Sequence, residues 1–230
     1  MKVIVIIPAF NEGKNLLKLL TEIRQLCVQY DIVVINDCSS DETAEICRKY
    51  DIDFIDLPIN LGIGGAVQCG YKYAFYNNYD IAVQVDGDGQ HKPQYIDMLV
   101  GRVVNGSNLC IGSRFIKKEG FQSTIIRRTG IKFLSGLIKI VCKQLVTDPT
   151  SGFRACDRKA IEFFTKFYPQ DYPEPETNVA LLRNNLIINE VPVTMSIRES
   201  GKSSITIYRS IYYMIKVSLA IIITLLSRRV

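Results

Sequence analysis

A chain of 230 residues has room for one substantial α/β domain, with or without an appendage. Hydrophobic residues make up 47% and charged residues 22%, which excludes a disordered chain. The formal charge of +5 suits a protein that meets phosphates or an anionic membrane surface, and it is too small to argue for nucleic acid.

The apolar run Lys2–Ile7 predicts a first strand; it ends at Pro8 and is too short for a secretion signal. A helical pattern follows from Gly13 to about Val28, with Leu16, Leu17, Leu19, Leu20, Ile23 and Leu26 on its apolar face. Ile32–Ile35 is a second predicted strand, and the polar turn Asp37–Thr43 offers caps to a helix ending near Tyr50. Phe54–Leu57, a helix over Gly64–Tyr76, and Ile81–Val85 continue the alternation. Strand and helix recur at roughly 25-residue intervals, which predicts βαβ units and a mostly parallel, Rossmann-like sheet flanked by helices. Ligands of such sheets sit beyond the carboxyl ends of the strands. The turns Pro8–Glu12, Asp37–Ser40 and Asp86–Gln90 are therefore expected to meet at one crevice.

A helix over Pro93–Val104 and a strand at Leu109–Ile111 come next, and then the rhythm is lost. Thr124–Leu145 predicts a long helix. Its apolar stripe is Ile126, Phe133, Leu134, Leu137, Ile138, Val141 and Leu145, and its other stripe includes Arg128, Lys132, Ser135, Lys139 and Lys143. Such a helix lies in a membrane interface or packs on the sheet. Asp148–Arg154 reads as a turn, and Tyr172–Glu176 as a rigid loop before a helix through about Asn184. Ile205–Leu226, the most apolar stretch, would span about 33 Å as a helix, enough for a bilayer core. Lys216 near its middle costs about 3 kcal/mol there, against roughly 3–7 kcal/mol returned by its Ile, Leu and Val residues. Crossing is marginal, and lying in the interface or docking on a partner's membrane helix competes with it. The seven cysteines form no Cys-x-x-Cys pair and read as buried residues of a reducing compartment, not as a zinc site.

The strand ending in Asp86-Gly87-Asp88 presents two carboxylates that can share one divalent cation. Hard ions such as Mg²⁺ or Mn²⁺ take oxygen ligands of this kind while they bridge a substrate's phosphates. A bare Asp-x-Asp also occurs in ordinary surface turns. His91 is the only histidine, which excludes metal clusters built on several histidines.

Ile6-Ile7-Pro8-Ala9-Phe10-Asn11-Glu12 and the stretch Val33–Thr43 are followed in order by Asn60–Ala66, Asp86–His91 and Gly112-Ser113-Arg114-Phe115. Together they resemble the inverting family 2 glycosyltransferases of the GT-A fold. Asp148–Arg154, Glu176, Glu190-Val191-Pro192 and Arg198-x-x-Gly201-x-Ser203 are similar to one branch of that family. It is typified by dolichyl-phosphate mannose synthase and the bacterial polyprenyl-phosphate sugar transferases. The resemblance implies a GT-A domain over 1–204, with a nucleotide-sugar half (1–115) and an acceptor half (116–204), and a membrane-associating C-terminal helix within 205–230. It also implies a UDP- or GDP-linked sugar donor, a polyprenyl phosphate acceptor, Mg²⁺ or Mn²⁺ as cofactor, and no nucleic acid. The expected location is the cytoplasmic face of the cell membrane, reached peripherally or through the tail, alone or with a small membrane protein or a second copy.

By the same resemblance, Pro8, Ala9, Glu12, Asp37, Asn60, Gly62, Gly65 and Asp86 would bind the nucleotide sugar. Asp86, Asp88 and Gln90 would hold the metal; Arg114, Arg127, Arg128 and Arg198 would cradle the acceptor phosphate. Asp88, Arg114, Asp148 and Glu176 would carry catalysis, while Asn36 departs from the family's usual Asp. A phosphate monoester has a second pKa of about 6, so it arrives largely dianionic and needs a basic cradle and in-line placement. A hydroxyl acceptor needs a general base, for which Asp148 and Glu176 are the candidates. Capping roles compete at Asp37 and Asp148, and snorkelling competes at Arg127 and Arg128. Two rival readings stand: the same fold acting on a saccharide hydroxyl, and a non-catalytic membrane adaptor. Intact Asp86, Asp88, Gln90 and Arg114 argue against the adaptor.

Overall fold

The computed structural model describes residues 1–122, 124–196 and 207–226, the described side chains excluding those of 126, 207–213 and 226. Among these residues one sheet runs in the order β3-β2-β1-β4-β6-β5-β7. Its first half is parallel: β1 (Val3–Ala9), β2 (Asp31–Asn36), β3 (Asp53–Asp56) and β4 (Ile81–Gln84). The crossovers are α1 (Gly13–Leu26), α2 (Thr43–Lys49) and α3 (Gly62–Tyr76). Every residue of β1 is buried, as expected of a strand paired on both sides and covered on both faces. β3 lies at the edge and begins and ends with an aspartate, charges that discourage further strand pairing.

A turn of 3₁₀ helix (Pro93–Tyr95) leads into α4 (Ile96–Val104) and then β5 (Leu109–Ser113). After α5 (Ile125–Cys142) comes β6 (Arg154–Asp157), which inserts between β4 and β5 and runs antiparallel to both. This reversal is why the alternation fades in the second half. Four residues beginning with Arg and ending with Asp have no period to read, so Arg154 looks like the end of a turn when it opens a strand. α6 (Arg158–Lys166) follows at once, its first turn capped by Asp157 Oδ1, which accepts from the Ala160 N–H at 2.9 Å. Then come α7 (Pro173–Arg183), β7 (Ile188–Pro192), parallel to β5, and α8 (Ile207–Leu226). Pro173 and Pro175 are not in a loop before a helix: they lie in the first turn of α7, where the missing N–H removes no helical bond.

Leu16, Leu20 and Ile23 of α1 pack with Leu99 and Val100 of α4 on one face of the sheet. The other face is covered by Val67 and Tyr71 of α3, Leu134 and Ile138 of α5, and Ile161 and Phe164 of α6. The buried seam of α5 is narrower than the expected stripe. Ile131, Leu134, Ser135 and Ile138 face inward, whereas Phe133 is exposed and Leu145 lies beyond the helix end, also exposed. Ser135, placed on the polar stripe, is buried because its hydroxyl donates to the Val146 carbonyl. α8 packs on α7, with Thr224 bonded to Glu176 and Val217 and Ile221 buried. Among the described residues no helix is long and apolar enough to cross a membrane.

The start of α3 is pressed against the segment between α6 and α7. Gly64 N–H donates to the Gln170 carbonyl at 3.0 Å, and a Cβ at residue 64 would sit 2.1 Å from the Pro169 carbonyl oxygen. Because the obstacle is backbone, Gly64→Ala is expected to destabilise the fold by about 1–3 kcal/mol. Urea unfolding of the variant checks this, and an unchanged midpoint would show that the 169–170 segment yields freely.

Candidate active site

Beyond the carboxyl ends of β1, β2 and β4 lies a cleft of about 390 Å³. Pro8, Ala9, Glu12, Asp37, Asn60, Gly62, Asp86 and Asp88 line it, with Phe10, Ile63 and Ala66 as apolar surface. Strand register brings the turns together: Ala9 pairs with Asn36, and Gly87 N–H reaches the Pro8 carbonyl at 3.3 Å.

Asp37 is buried at the floor of this cleft. Its Oδ1 accepts from the Leu61 N–H at 2.7 Å, and its carbonyl accepts from Asn60 Nδ2 at 3.1 Å. It therefore anchors the loop that enters α3. The cap of the preceding turn is Asp41 instead, which accepts from Thr43 N–H and Gly13 N–H, each at 3.0 Å. Asn36 turns toward the sheet edge and donates to Asp56 Oδ1 at 2.6 Å. Gly62 has a φ of +75°, which favours glycine. Gly65 is not brought to the cleft. A Cβ there would lie 2.5 Å from Leu61 Cβ, so it serves close packing inside the first turn of α3.

Asp86 is fixed from several directions. Its Oδ1 accepts from Gln84 Nε2 at 3.1 Å, and its N–H donates to His91 Nδ1 at 3.0 Å. The His91 ring is buried and stacks on Phe153 at a centroid distance of 4.8 Å, so this histidine is a support of the loop. Asp88 Oδ1 accepts from the Gln90 N–H at 3.0 Å. Gln90 is drawn away from the cleft: its Nε2 donates to the Ser196 carbonyl at 3.3 Å, and Ser196 N–H donates to the Gln90 carbonyl at 3.0 Å. The cleft thus presents the oxygens of Asp86 and Asp88 and no thiolate or imidazole, a donor set suited to a hard divalent ion completed by phosphate and water. A nucleoside diphosphate entering beside these two carboxylates would meet like charge unless a cation lay between them.

Across the sheet, Arg114 and Asp148 form a buried, two-pronged ion pair. Nε to Oδ2 is 2.6 Å and Nη2 to Oδ1 is 2.7 Å; the Arg114 N–H adds a third contact to Oδ2 at 3.2 Å. Asp148 has no solvent exposure. Its loop is gripped by Glu190, whose carboxylate accepts from the N–H groups of Thr147 at 2.7 Å and Asp148 at 2.9 Å. Burial raises the Glu190 pKa, and those two N–H groups pull it back. A second pocket, of about 420 Å³, adjoins this pair through Phe115 and Thr147; Lys118, Arg128, Lys132 and Ser135 also line it. Arg127 is exposed on the first turn of α5 and does not line that pocket, and Arg198 lies outside the described residues.

Glu176 is not at the centre either. Its Oε1 accepts from Thr224 Oγ1 at 3.0 Å, so it joins α7 to α8. The carboxylate of this helix that senses the centre is Glu174. Burial raises its pKa, the Arg154 guanidinium opposes the rise, Asp86 adds to it, and Arg114 lowers it. Both glutamates stand in the Glu-Pro-Glu stretch, and two positions on a helix differ by about 200° of facing. Only a helix beginning at Pro173, read in place of a loop, would have separated them. Arg154, completely buried, was likewise hidden as a turn residue.

Asp148→Asn removes one charge of a buried pair and takes from Arg114 the carboxylate it bonds twice, so a loss on the order of 3 kcal/mol is expected in urea unfolding. Glu176 offers a test in pH. Burial, first among its influences, raises its pKa, with the Thr224 hydroxyl and Lys216 opposing. A carboxyl whose pKa is higher folded than unfolded takes up a proton on folding, so stability falls as pH rises from the unfolded value through the folded one. Glu176→Gln cannot ionise and keeps an acceptor for Thr224. Its Tm should gain a few degrees relative to wild type between pH 4 and 7, and a constant difference would contradict the assignment.

Comparison with known proteins gives the site its context. The glycosyl transferase family 2 profile matches residues 4–164. A dolichol-phosphate mannosyltransferase of Pyrococcus furiosus is 32% identical over 231 residues, covering 94% of this chain and 64% of that protein. A polyprenol monophosphomannose synthase of Mycolicibacterium smegmatis is 26% identical over 219 residues, 89% of this chain and 81% of its own. Glucosyl-3-phosphoglycerate synthase of Mycobacterium tuberculosis, solved with Mn²⁺, UDP-glucose and phosphoglyceric acid, superposes with a TM-score of 0.76 at 16% identity, over 99% of this chain and 80% of that one. With the profile spanning most of the chain and the GT-A fold shared along it, the protein belongs to glycosyl transferase family 2.

Proposed function

We propose that this chain transfers one sugar, with inversion, from a nucleoside diphosphate to polyprenyl phosphate, using Mg²⁺ or Mn²⁺, at the cytoplasmic face of the cell membrane. The state of Asp148 carries the reading. Both its oxygens are engaged by Arg114 and it is sealed from solvent, so it is poorly placed to take a proton from a hydroxyl. A phosphate acceptor needs no such base, because it is already largely dianionic above a pKa of about 6. The lipid-phosphate names of the two relatives described above support the same acceptor.

Under this reading Pro8, Asp37 and Asn60 border a UDP- or GDP-linked donor, and Asp86 and Asp88 hold the cation. When bound, that ion neutralises the diphosphate and the charge that grows on it as the glycosidic bond breaks. An acceptor oxygen attacks the anomeric carbon opposite the departing nucleotide: its bond to that carbon forms as the diphosphate's bond breaks, and no proton moves. The second pocket mixes cationic Lys118, Arg128 and Lys132 with apolar Phe115 and Ile131, which suits a phosphate joined to a hydrocarbon chain. Exposed Ile125, Phe133 and Ile140 on α5, beside Lys132 and Lys139, and exposed Ile215, Leu219, Ile222 and Ile223 on α8 suit a lipid interface. Residues 1–115 would serve the donor, 116–204 the acceptor and 205–230 the membrane, where a small membrane protein or a second copy could assist the tail.

One observation favours a saccharide hydroxyl as acceptor: Glu174, raised in pKa and sensed by Asp86, has the character of a base. Both readings are tested by product formation from a labelled nucleotide sugar and polyprenyl phosphate. Asp88→Asn and Arg114→Ala are each expected to slow it about 10²–10³-fold, and full activity in both would sink the mechanism. Glu174→Gln that abolishes turnover while leaving donor binding intact, with a wild-type rate rising through one ionisation, would favour the hydroxyl.

A further inference from the structure

We propose that Gln84 and Gly152 are positioning residues that set the Asp86 carboxylate for cation binding, an inference that rests on the donor-site reading above. Gln84 ends β4 and is completely buried. Its amide is held at both ends: Nε2 donates to Asp86 Oδ1 at 3.1 Å, and Oε1 accepts from the Tyr168 hydroxyl at 3.4 Å. An amide gives at one end and receives at the other while staying neutral. Glutamate in its ionised form would have no proton to give, and an apolar residue would remove this bond from Asp86 Oδ1 and from the Tyr168 hydroxyl.

Gly152 closes the other side of the pair. A Cβ there would lie 2.9 Å from Gln84 Nε2 and 3.0 and 3.2 Å from the two Asp86 oxygens. Its φ lies outside the left-handed region, so the effect of a side chain here would come from space: a Cβ would push the ends of Gln84 and Asp86 from these positions. The approach is enforced from behind, since Arg154 donates to the Ser151 carbonyl from Nε at 3.2 Å and from Nη2 at 2.8 Å. Three separate pieces of chain, β4, the 148–153 turn and the segment carrying Tyr168, thus converge on one carboxylate. A ligand carboxylate oriented by its neighbours loses less freedom on binding a metal, and removing such neighbours typically weakens metal affinity 10–100-fold.

The experiment is a Mn²⁺ titration of the full chain, with UDP or GDP present, followed by the electron paramagnetic resonance of free Mn²⁺. Gln84→Met, which keeps volume and removes both hydrogen bonds, and Gly152→Ala, which intrudes from the opposite element, should each raise the Mn²⁺ Kd about 10–100-fold. Tyr168→Phe, acting one bond further away, should raise it less than either. Thermal melts accompany each titration; a folded Gly152→Ala decides the matter even where Gln84→Met does not fold. Wild-type Kd values in both variants would overturn this inference and leave the donor-site reading standing. Wild-type chain that binds no Mn²⁺ with either nucleotide would overturn the donor-site reading and this inference with it.

Discussion

A guanidinium cut off from water has to find an acceptor for each of its arms, and the turn before β6 is wound to give them to Arg154. Its Nε and Nη2 converge on the Ser151 carbonyl, and its Nη1 donates to Thr177 Oγ1 at 3.1 Å. Burying an unscreened charge costs several kcal/mol, which these bonds and the nearby negative charge of Glu174 offset. Everything at the centre depends on that arrangement. The same turn carries Asp148 to Arg114 at one end and Gly152 to Asp86 at the other. Thr177 ties the turn to the helix that bears Glu174. The Arg114–Asp148 pair and the Asp86 carboxylate are therefore not independently placed, since the turn that Arg154 holds touches both.

The support extends outward from α7. Thr177 and Glu176 are neighbours on that helix, and Glu176 binds Thr224 of α8 while Asp171, just before α7, pairs with Lys216 of α8. The same segment supplies the Gln170 carbonyl to Gly64 at the start of α3, whose first residue lines the cleft beside Asp86 and Asp88. Lys216, which argues against a membrane crossing on energetic grounds, has a structural use in this contact. The apolar residues around it face two ways: Val217 and Ile221 inward, Ile215 and Leu219 outward. Over its described residues the helix is amphipathic, and Lys216 sits on the protein side of the divide.

How much of this was legible in the sequence follows from how local the signals are. The parallel half was readable because each strand is a continuous apolar run followed by a polar turn, and the rule that ligands sit at the carboxyl ends then joins Pro8, Asp37 and Asp86 without further information. β6 was not readable, because its identity comes from pairing with β4 and β5 and not from its own four residues. Gly65 and Gly62 look alike in a Gly-rich loop, yet one has a positive φ on the cleft and the other a crowded helical position. Gln90 follows the aspartates closely and still turns away, because Ser196, more than a hundred residues later, holds its amide. The Glu174 and Glu176 exchange has the same origin: facing on a helix depends on where the helix starts, and two prolines made that start look like a loop.

Arg114 raises one remaining question of charge. Paired with Asp148 through two short bonds, it is close to neutral as a unit, so it offers an incoming phosphate direction more than attraction. The attraction must come from cations without so close a partner, and Lys118, Arg128 and Lys132 line the adjoining pocket. This divides the proposed acceptor site into a rigid part and a steering part. The rigid part is positioned by buried contacts and tolerates little change in geometry, since a misplacement of about 1 Å can cost 10²-fold in rate. The steering part sits on α5 and the segment before it, where long side chains can follow a phosphate that is itself anchored in a moving lipid. A site built this way would discriminate weakly among the hydrocarbon chains behind the phosphate and strongly for the phosphate itself, because only the latter meets a fixed partner.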